Sequence, residues 1–102
     1  MKLLTSEIRK QLPPLYSCED SPDPLAQVKF FTPWSSWTWY AVEFDGEDTF
    51  FGLVHGHDTE LGYFSLSELS SIQGPGGLRI ERDHYFSPTP LSQLGSPIHP
   101  RQ

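Results

Sequence analysis

The sequence contains no lysine or arginine between Lys29 and Arg79, and this absence is its most informative feature. Proteins that bind nucleic acids or anionic membranes place positive charge around their contact residues, because phosphate groups are negative. The net charge of −6 and the pI near 5.0 agree with the missing cations. A protein that grips a phosphate backbone is therefore disfavoured. A partner that carries positive charge or hydrogen-bond donors is favoured.

Cysteine and long apolar runs are also scarce. Cys18 is the only cysteine, which excludes an internal disulfide and a cysteine-rich zinc site and fits a reducing compartment. The first residues lack the roughly 7–15 apolar residues of a signal peptide. No stretch approaches the ~20 apolar residues of a membrane span. We therefore expect a soluble, cytoplasmic protein without membrane contact.

Motifs of common enzymes are missing as well. The sequence has no nucleophile motif, no phosphate-binding glycine loop and no zinc-binding helix. We accordingly predict no catalytic residue and no cofactor, and a non-enzymatic protein is favoured.

Aromatic residues are abundant and concentrated. Eleven of the fourteen lie between Phe30 and Phe64, inside the segment without cations, and that segment also carries seven carboxylates. One segment therefore supplies both an aromatic core and an acidic surface. At 102 residues the chain has room for one modest core. We predict a single domain over residues 1–94 and a disordered tail over residues 95–102.

Capping signals predict two short helices. Thr5 is placed as the N-cap of a helix over Ser6–Gln11. Ser65 and Glu68 have the S-x-x-E spacing of a capping box, which predicts a second helix near residues 65–73. The apolar face of this second helix consists of Leu66, Leu69 and Ile72.

Runs of β-branched and aromatic residues between turn signals predict four strands. The connections are too short for crossover helices, so the strands should form an antiparallel meander with a hairpin at Asp45-Gly46. The predicted fold class is α+β: a meander of about four strands with a short N-terminal helix and a helix after the sheet. The predicted strands are Ala26–Thr32, Trp37–Phe44, 49–55 and Leu61–Phe64, followed by extended pieces at Leu78–Ile80 and Tyr85–Phe86 and a helical turn near Leu91–Leu94.

Both faces of the predicted sheet are apolar, whereas two short helices can cover only one of them. The tail and the proline-rich loop could cover the other face. Alternatively, this face could remain open as an aromatic surface for a partner. An open aromatic face could also stack single-stranded bases, although such modules surround their aromatic residues with lysine and arginine. Strict alternation along the second strand places Trp37, Trp39 and Ala41 on one face, and Thr38, Tyr40, Val42 and Phe44 on the other.

Two groups of residues are candidates for contact with a partner. Trp34 lies at a turn between strands and is the aromatic residue expected to be most exposed. The second group is a run of acidic residues at one hairpin. Carboxylates can imitate the charge of phosphates and speed association with a basic surface. The predicted partner-binding residues are Trp34, Trp37, Glu43, Asp45, Glu47 and Asp48.

A loop rich in histidine offers a rival interpretation, a metal site in a small metal-dependent hydrolase. A closed zinc site needs several ligands at good geometry, which one loop rarely supplies. A solvent-exposed polar loop is therefore preferred, and no metal is predicted. The weak candidate ligands are His55, His57 and Asp58 with Glu60 beside them, and Asp83 and His84 farther along the chain.

Short motifs recur in a fixed order from residue 3 to about residue 94. They are LLT at 3–5, LPPLY at 12–16, VKFFTP at 28–33, WTWY at 37–40, EFD at 43–45, FGLV at 51–54, ELGYFSL at 60–66, and GL at 77–78 with IERD at 80–83. In this order they resemble a bacterial domain-of-unknown-function family carried on conjugative plasmids and integrative elements. Residues 55–58 look like a variable loop of that family.

The resemblance implies an accessory role in a mobile genetic element, because members tend to be encoded near plasmid-maintenance and antirestriction genes. It implies no established activity, cofactor or catalytic residue. Together with the acidic charge, it leads to a functional hypothesis. The protein would bind a basic surface of a host protein and inhibit a defence or DNA-processing factor, in the manner of antirestriction or anti-CRISPR proteins. The alternatives are a single-stranded nucleic-acid-binding module and the small hydrolase.

Overall fold

A threonine cap begins the first helix in the computed structural model of the chain, which describes residues 2–95. Helix α1 spans Ser6–Gln11, and the Thr5 hydroxyl oxygen accepts a hydrogen bond from the Ile8 amide at 3.2 Å. This bond satisfies one of the amides that the first helical turn leaves without a partner. The predicted cap and both ends of α1 are confirmed.

A serine cap begins the second helix, as predicted. Helix α2 spans Leu66–Ser71, and the Ser65 hydroxyl oxygen accepts a hydrogen bond from the Glu68 amide at 3.1 Å. The helix ends two residues earlier than predicted, because Gln73 already pairs with Arg79 in a β-bridge. Neither α-helix exceeds six residues, and none of the helices within residues 2–95 has the length and apolar character to cross a membrane.

Residues 2–95 also form seven strands and two 3₁₀ helices, at Pro75–Gly77 and Leu91–Leu94. Five of the strands form one antiparallel sheet in the order β5-β4-β3-β2-β6. The remaining two, β1 and β7, pair with each other in a separate small sheet. The predicted α+β class with an antiparallel meander is confirmed. The strands are β1 (Leu25–Ala26), β2 (Val28–Phe31), β3 (Thr38–Phe44), β4 (Thr49–His55), β5 (Thr59–Ser65), β6 (Glu81–Arg82) and β7 (Thr89–Pro90).

Several predicted strand boundaries were wrong. The predicted first strand is divided, because Leu25–Ala26 pairs with β7 while Val28–Phe31 pairs with β3. The last strand of the meander is longer than predicted, since all seven residues of β5 pair with β4. The piece predicted at Leu78–Ile80 is replaced by β6, which adds a fifth strand beside β2. Tyr85 lies in a turn, where its amide donates a hydrogen bond to the Asp83 carboxylate, so no strand forms there.

A β-bulge between Ala41 and Glu43 changes the face on which Phe44 lies. Strict alternation had placed Phe44 opposite Trp39 and Ala41. The bulge inserts one extra residue, so Phe44 pairs with Phe50 and joins the same buried cluster as Trp39 and Ala41. The predicted face of Phe44 was therefore wrong.

The first face of the sheet carries the larger core. The Phe44 and Phe50 rings stack at 4.5 Å between centroids, and the Phe50 and Phe64 rings at 5.2 Å. Leu69 of α2 is buried against them, with Leu66 and Ile72 partly buried, which confirms the predicted packing face of that helix. Each fully buried side chain of this size contributes roughly 1.5–3 kcal/mol to stability. The N-terminal residues that close this core are Leu3, Leu4 and Leu12.

The second face carries a smaller core, which the C-terminal part of the domain covers. A short 3₁₀ helix spans Leu91–Leu94, where a helical turn was predicted. Its Leu91 is 3% exposed and packs with Tyr40, Val42 and Leu53. Phe86 and Cys18 also pack there. At Tyr40, Val42 and Leu53, the second face of the sheet is therefore covered by the chain itself and is not open to a partner. The predicted tail lies outside the described residues, except for Gly95.

Arg82 joins the two ends of the domain. Its guanidinium donates hydrogen bonds to the backbone carbonyl oxygens of Lys2 and Leu3, both at 2.9 Å. The side chain is 9% exposed, so these bonds form largely away from water. The residues before α1 are consequently held beside β6.

Candidate interaction surface

The turn between β2 and β3 places two tryptophans at one end of the sheet. The Thr32 amide donates to the Trp37 carbonyl oxygen at 3.0 Å, which closes the turn around Trp34. Both indoles are half-buried against the first core. The expectation that Trp34 would be the most exposed aromatic residue was therefore wrong, since Tyr85 is 96% exposed. The Trp37 ring lies 5.8 Å from that of Trp39 and 5.5 Å from that of His57. We call residues 32–37 and 55–60 together the tryptophan end.

Each of these indoles rests directly on a glycine. A Cβ atom built on Gly56 would lie 2.3 Å from the ring of Trp37, and one built on Gly74 would lie 2.4 Å from the ring of Trp34. These separations are shorter than any van der Waals contact, so no larger residue fits unless the ring moves. The two glycines therefore fix how far each indole stands out of the surface.

The two histidines of the candidate metal loop point to different neighbours. The His55 ring packs edge-on against Tyr40 at 5.3 Å, whereas the His57 ring packs edge-on against Trp37 at 5.5 Å. Within residues 2–95, no three His, Cys, Asp or Glu side chains come close enough together to hold a metal ion. Asp58 and Glu60 are exposed beside this loop. The predicted ligand candidates are therefore not brought together by the fold.

The acidic hairpin at the opposite end of β3 uses its first carboxylate to build the turn. Asp45 Oδ1 accepts hydrogen bonds from the amides of Glu47, Asp48 and Thr49 at 2.8, 2.8 and 3.0 Å. These amide bonds hold the pKa of Asp45 below its usual value. Gly46 has φ = +91°, a conformation that favours glycine. The predicted Asp-Gly turn is confirmed.

Two other acidic candidates have distinct environments. Asp48 accepts hydrogen bonds from the amide and the hydroxyl of Ser67 at 2.8 and 2.7 Å, which ties the hairpin to the start of α2. Glu47 is exposed, and its amide is bonded to Asp45. Reversing the charge at Asp45 or Asp48 would therefore disturb the fold, whereas Glu47 offers a cleaner probe of the surface.

Glu43 does not belong to the acidic surface, contrary to the prediction. It is 0% exposed. Its Oε1 accepts the Tyr16 amide at 2.9 Å and its Oε2 accepts the Cys18 amide at 2.8 Å. The carboxylate thus anchors an irregular segment against the sheet. The signal that could have revealed this role is a lone acid within the apolar run of β3, since a buried charge needs strong hydrogen-bond partners.

The predicted partner-binding residues are thus divided between two places. Trp34 and Trp37 precede β3, and Asp45 follows it. A strand rises about 3.3 Å per residue, so these two ends of β3 lie roughly 20 Å apart. A single small contact cannot include both groups. Asp58 and Glu60 follow His57, whose ring contacts Trp37, so these two exposed carboxylates belong to the tryptophan end.

Positive charge collects on another part of the molecule. An open pocket of about 440 Å³ has Lys2, Arg9 and Arg79 in its lining, over a floor that includes Leu69 and Ile80. The Arg9 guanidinium donates to the Gly46 carbonyl oxygen at 2.8 Å, and Arg79 donates to the Ser70 carbonyl oxygen at 3.0 Å. Arg79 lies 70 residues after Arg9 in the sequence, so sequence analysis had no reason to group it with Lys2 and Arg9.

These features define a class: a small α+β protein on a five-stranded antiparallel sheet, with an aromatic loop cluster at one end and an acidic hairpin at the other. The sequence of residues 3–95 matches the family described as "Protein of unknown function (DUF2958)", and the chain belongs to that family. The resemblance to a domain-of-unknown-function family is thereby confirmed. No curated protein and no solved structure matches the chain.

Proposed function

We propose that this protein is a non-enzymatic binding protein of a mobile genetic element that contacts a basic surface on a protein of the bacterial host. In this proposal it inhibits a host defence or DNA-processing factor, as antirestriction and anti-CRISPR proteins do. The observation that carries the proposal is the tryptophan end, where the half-buried Trp37 ring packs against His57 and the exposed carboxylates of Asp58 and Glu60 follow His57 in the chain. The mobile-element context rests on the sequence resemblance described above.

Two physical arguments support binding at this end. Interface energy concentrates in a few aromatic anchors, and tryptophan is prominent among them. Trp34 and Trp37 are held in place by the glycines beneath them, so little conformational entropy is lost when a partner covers them. Both segments of the tryptophan end come from residues 30–78, which carry seven carboxylates and no lysine or arginine. A basic partner is therefore attracted and a second acidic protein is repelled.

A pair of charge-matched variants tests the proposal. Asp58→Lys/Glu60→Lys changes the tryptophan end, and Asp20→Lys/Glu47→Lys changes exposed carboxylates elsewhere by the same total charge. Tagged wild type and both variants are used to capture proteins from a bacterial lysate, with circular dichroism to verify folding. We expect a basic host protein that wild type and Asp20→Lys/Glu47→Lys retain and that Asp58→Lys/Glu60→Lys loses.

Three results would contradict the proposal. Equal recovery by all three proteins would mean that neither set of carboxylates forms the contact. Loss with Asp20→Lys/Glu47→Lys alone would move the contact away from the tryptophan end, to the surface of Asp20 or Glu47. Tight binding of a labelled single-stranded oligonucleotide to wild type at low salt would favour the nucleic-acid alternative instead.

A further inference from the structure

Strand β5 forms one edge of the five-stranded sheet. It spans Thr59–Ser65 and pairs with β4 in an unbroken register from Thr49 opposite Ser65 to His55 opposite Thr59. Within residues 2–95, no strand and no backbone hydrogen bond occupies the other side of β5. Alternate residues of an edge strand direct their N–H and C=O groups outward. This edge therefore presents a row of backbone donors and acceptors.

Most of the usual protections of an edge strand are missing from β5. Proteins keep such edges from pairing by making them short or by placing proline, charged side chains or a bulge in them. The opposite edge follows this rule, since β6 has two residues, Glu81–Arg82. β5 has seven residues, no proline and no register shift, and its one charged side chain, Glu60, disfavours an acidic strand but not a basic one. An open edge of this length fits a binding strand.

The side chains of β5 would select what pairs with it. A Cβ atom built on Gly62 meets nothing within 4 Å, so there is space above this residue for a large side chain of an incoming strand. Glu60 and Gly62 lie on one face because side chains alternate along a strand. Leu61 and Tyr63 lie on the other face, where Tyr63 is 52% exposed and its ring lies 5.1 Å from that of Phe51. This second face offers apolar contact.

The charge around β5 selects a basic occupant. Asp58 and Glu60 are exposed at its first end, and Glu68 is exposed beyond its last end. No lysine or arginine lies between residues 30 and 78 to balance them. A second copy of this chain would bring a net charge of −6 against the same carboxylates. Complementarity therefore favours a positively charged segment over self-pairing.

We infer that β5 binds an extended basic segment of the partner protein as a sixth strand of the sheet. A lysine or arginine of that segment lies beside Glu60, and a large apolar side chain fills the space above Gly62. The inference rests on the proposed binding function and specifies how the partner is held. Backbone hydrogen bonds supply the pairing, and alternate side chains supply the selectivity.

Synthetic peptides test this inference on the whole protein. The probe is a fluorescent seven-residue peptide in which lysine alternates with valine or phenylalanine, and its acidic twin carries glutamate in place of lysine. Two further versions are N-methylated at one or the other set of alternate residues. Fluorescence anisotropy measures the affinity of each peptide. We expect the basic peptide to bind and the acidic twin to bind at least about tenfold more weakly. Only one of the two N-methylated versions should lose about tenfold or more in affinity, because only one set of alternate amides faces β5.

Amide hydrogen exchange locates the bound peptide. With the basic peptide, we expect slower exchange at alternate amides of residues 59–65 and little change in β2 or β6. Gly62→Val places a side chain in the open space, where its Cβ meets no atom within 4 Å. It should weaken the phenylalanine peptide about tenfold while sparing a peptide with alanine in place of that phenylalanine. The alanine version serves as the internal control for folding.

Three other outcomes overturn the inference. Equal binding of both N-methylated peptides would mean that side chains alone make the contact. Protection of β5 amides without peptide, with dimers in sedimentation, would assign the edge to a second copy. A host protein captured through Asp58 and Glu60, with no peptide protection at β5, would leave the proposed function standing and refute this inference. If the peptide protects β5 but no host protein is captured, this inference stands and the proposed function is refuted.

Discussion

Glycine at position 56 shows how one residue controls the candidate surface. Replacing it with alanine places a methyl group where the Trp37 ring now lies, at 2.3 Å. We expect Gly56→Ala to lower the free energy of unfolding by about 1–3 kcal/mol, the usual cost of overpacking, and to shift tryptophan emission. Gly62→Ala is the control, because its Cβ meets no atom within 4 Å, and it should change stability by less than about 0.5 kcal/mol. Urea unfolding measures the stability of both variants. Equal losses of stability would contradict the close contact between Gly56 and the Trp37 ring.

Glu43 permits a second test with a nearly isosteric change. Its two carboxylate oxygens accept one amide each, from Tyr16 and Cys18. Glutamine retains one acceptor oxygen but turns an NH₂ group toward the other amide. We expect Glu43→Gln to cost about 1–3 kcal/mol in urea unfolding. Glu47→Gln, on the exposed hairpin, should be nearly silent, and equal effects at both positions would show that the burial of Glu43 is unimportant.

Local chemistry decided which residues could be predicted from the sequence. The caps at Thr5 and Ser65 and the turn at Asp45-Gly46 depend on neighbours within four positions, so spacing alone identifies them. Glu43 depends on amides 25 and 27 positions earlier in the chain. No local pattern reports such a partner, and the acid was therefore assigned to the surface.

Among the elements, the β3–β4 hairpin should respond to pH through its capping carboxylate. The pKa of Asp45 is lowered in the folded state from its ordinary 3.8. The stability that Asp45 contributes is thus fully present when the pH is above its pKa in the unfolded chain. It is lost as the pH falls through the lower pKa of the folded state. We expect Asp45→Ala to show a smaller loss of stability than wild type between pH 6 and pH 3. Glu47→Ala should retain the wild-type slope, and an unchanged slope in Asp45→Ala would refute the assignment.

The 3₁₀ helix Leu91–Leu94 should contribute strongly to stability despite its length. Leu91 is 3% exposed and fills the second core. Leu91→Ala is expected to cost about 2–4 kcal/mol, because it removes buried apolar contact and leaves a cavity. Leu78, which is 44% exposed, provides the matched control, and Leu78→Ala should cost less than about 1 kcal/mol. Thermal unfolding followed by circular dichroism would compare them, and the reverse order would contradict the assigned cover.

Element type was more predictable than element position. The four strands of the meander were visible because β-rich runs alternate with turn residues. The bulge at Ala41–Glu43 was not visible, because the sequence of β3 is apolar on both faces and alternation cannot show a shift. β6 was also missed, since two residues carry no periodic signal and their pairing with β2 spans some 50 positions.

For the whole molecule, the separation of charge predicts salt-dependent association with a basic partner. Raising ionic strength from about 0.05 to 0.5 M should slow association of wild type, because screening shortens the reach of exposed charges to a few ångströms. Asp58→Lys/Glu60→Lys should associate more slowly and flatten this dependence, with a smaller effect on dissociation. Stopped-flow fluorescence with the captured partner measures both rates. A slope unchanged by the substitution would place the electrostatic contact elsewhere.

The sequence indicated the ingredients of the candidate surface but not their arrangement. The missing cations, the tryptophans and the acids were all visible from composition. Their grouping depends on the strand order and on the length of β3, which places Trp37 and Asp45 at opposite ends. Because the tryptophans and the acidic residues are close in sequence, sequence analysis assigned them to one binding site. The fold places them at two separate sites.

The contact of Arg82 with the carbonyl oxygens of Lys2 and Leu3 also bears on how the protein is made. It closes a loop of about 80 residues, so the segment around Lys2 and Leu3 is synthesised well before the arginine that holds it. A pause in synthesis just before Arg82 would consequently yield a nascent chain with the meander present and the cover formed by Leu3 and Leu4 still loose.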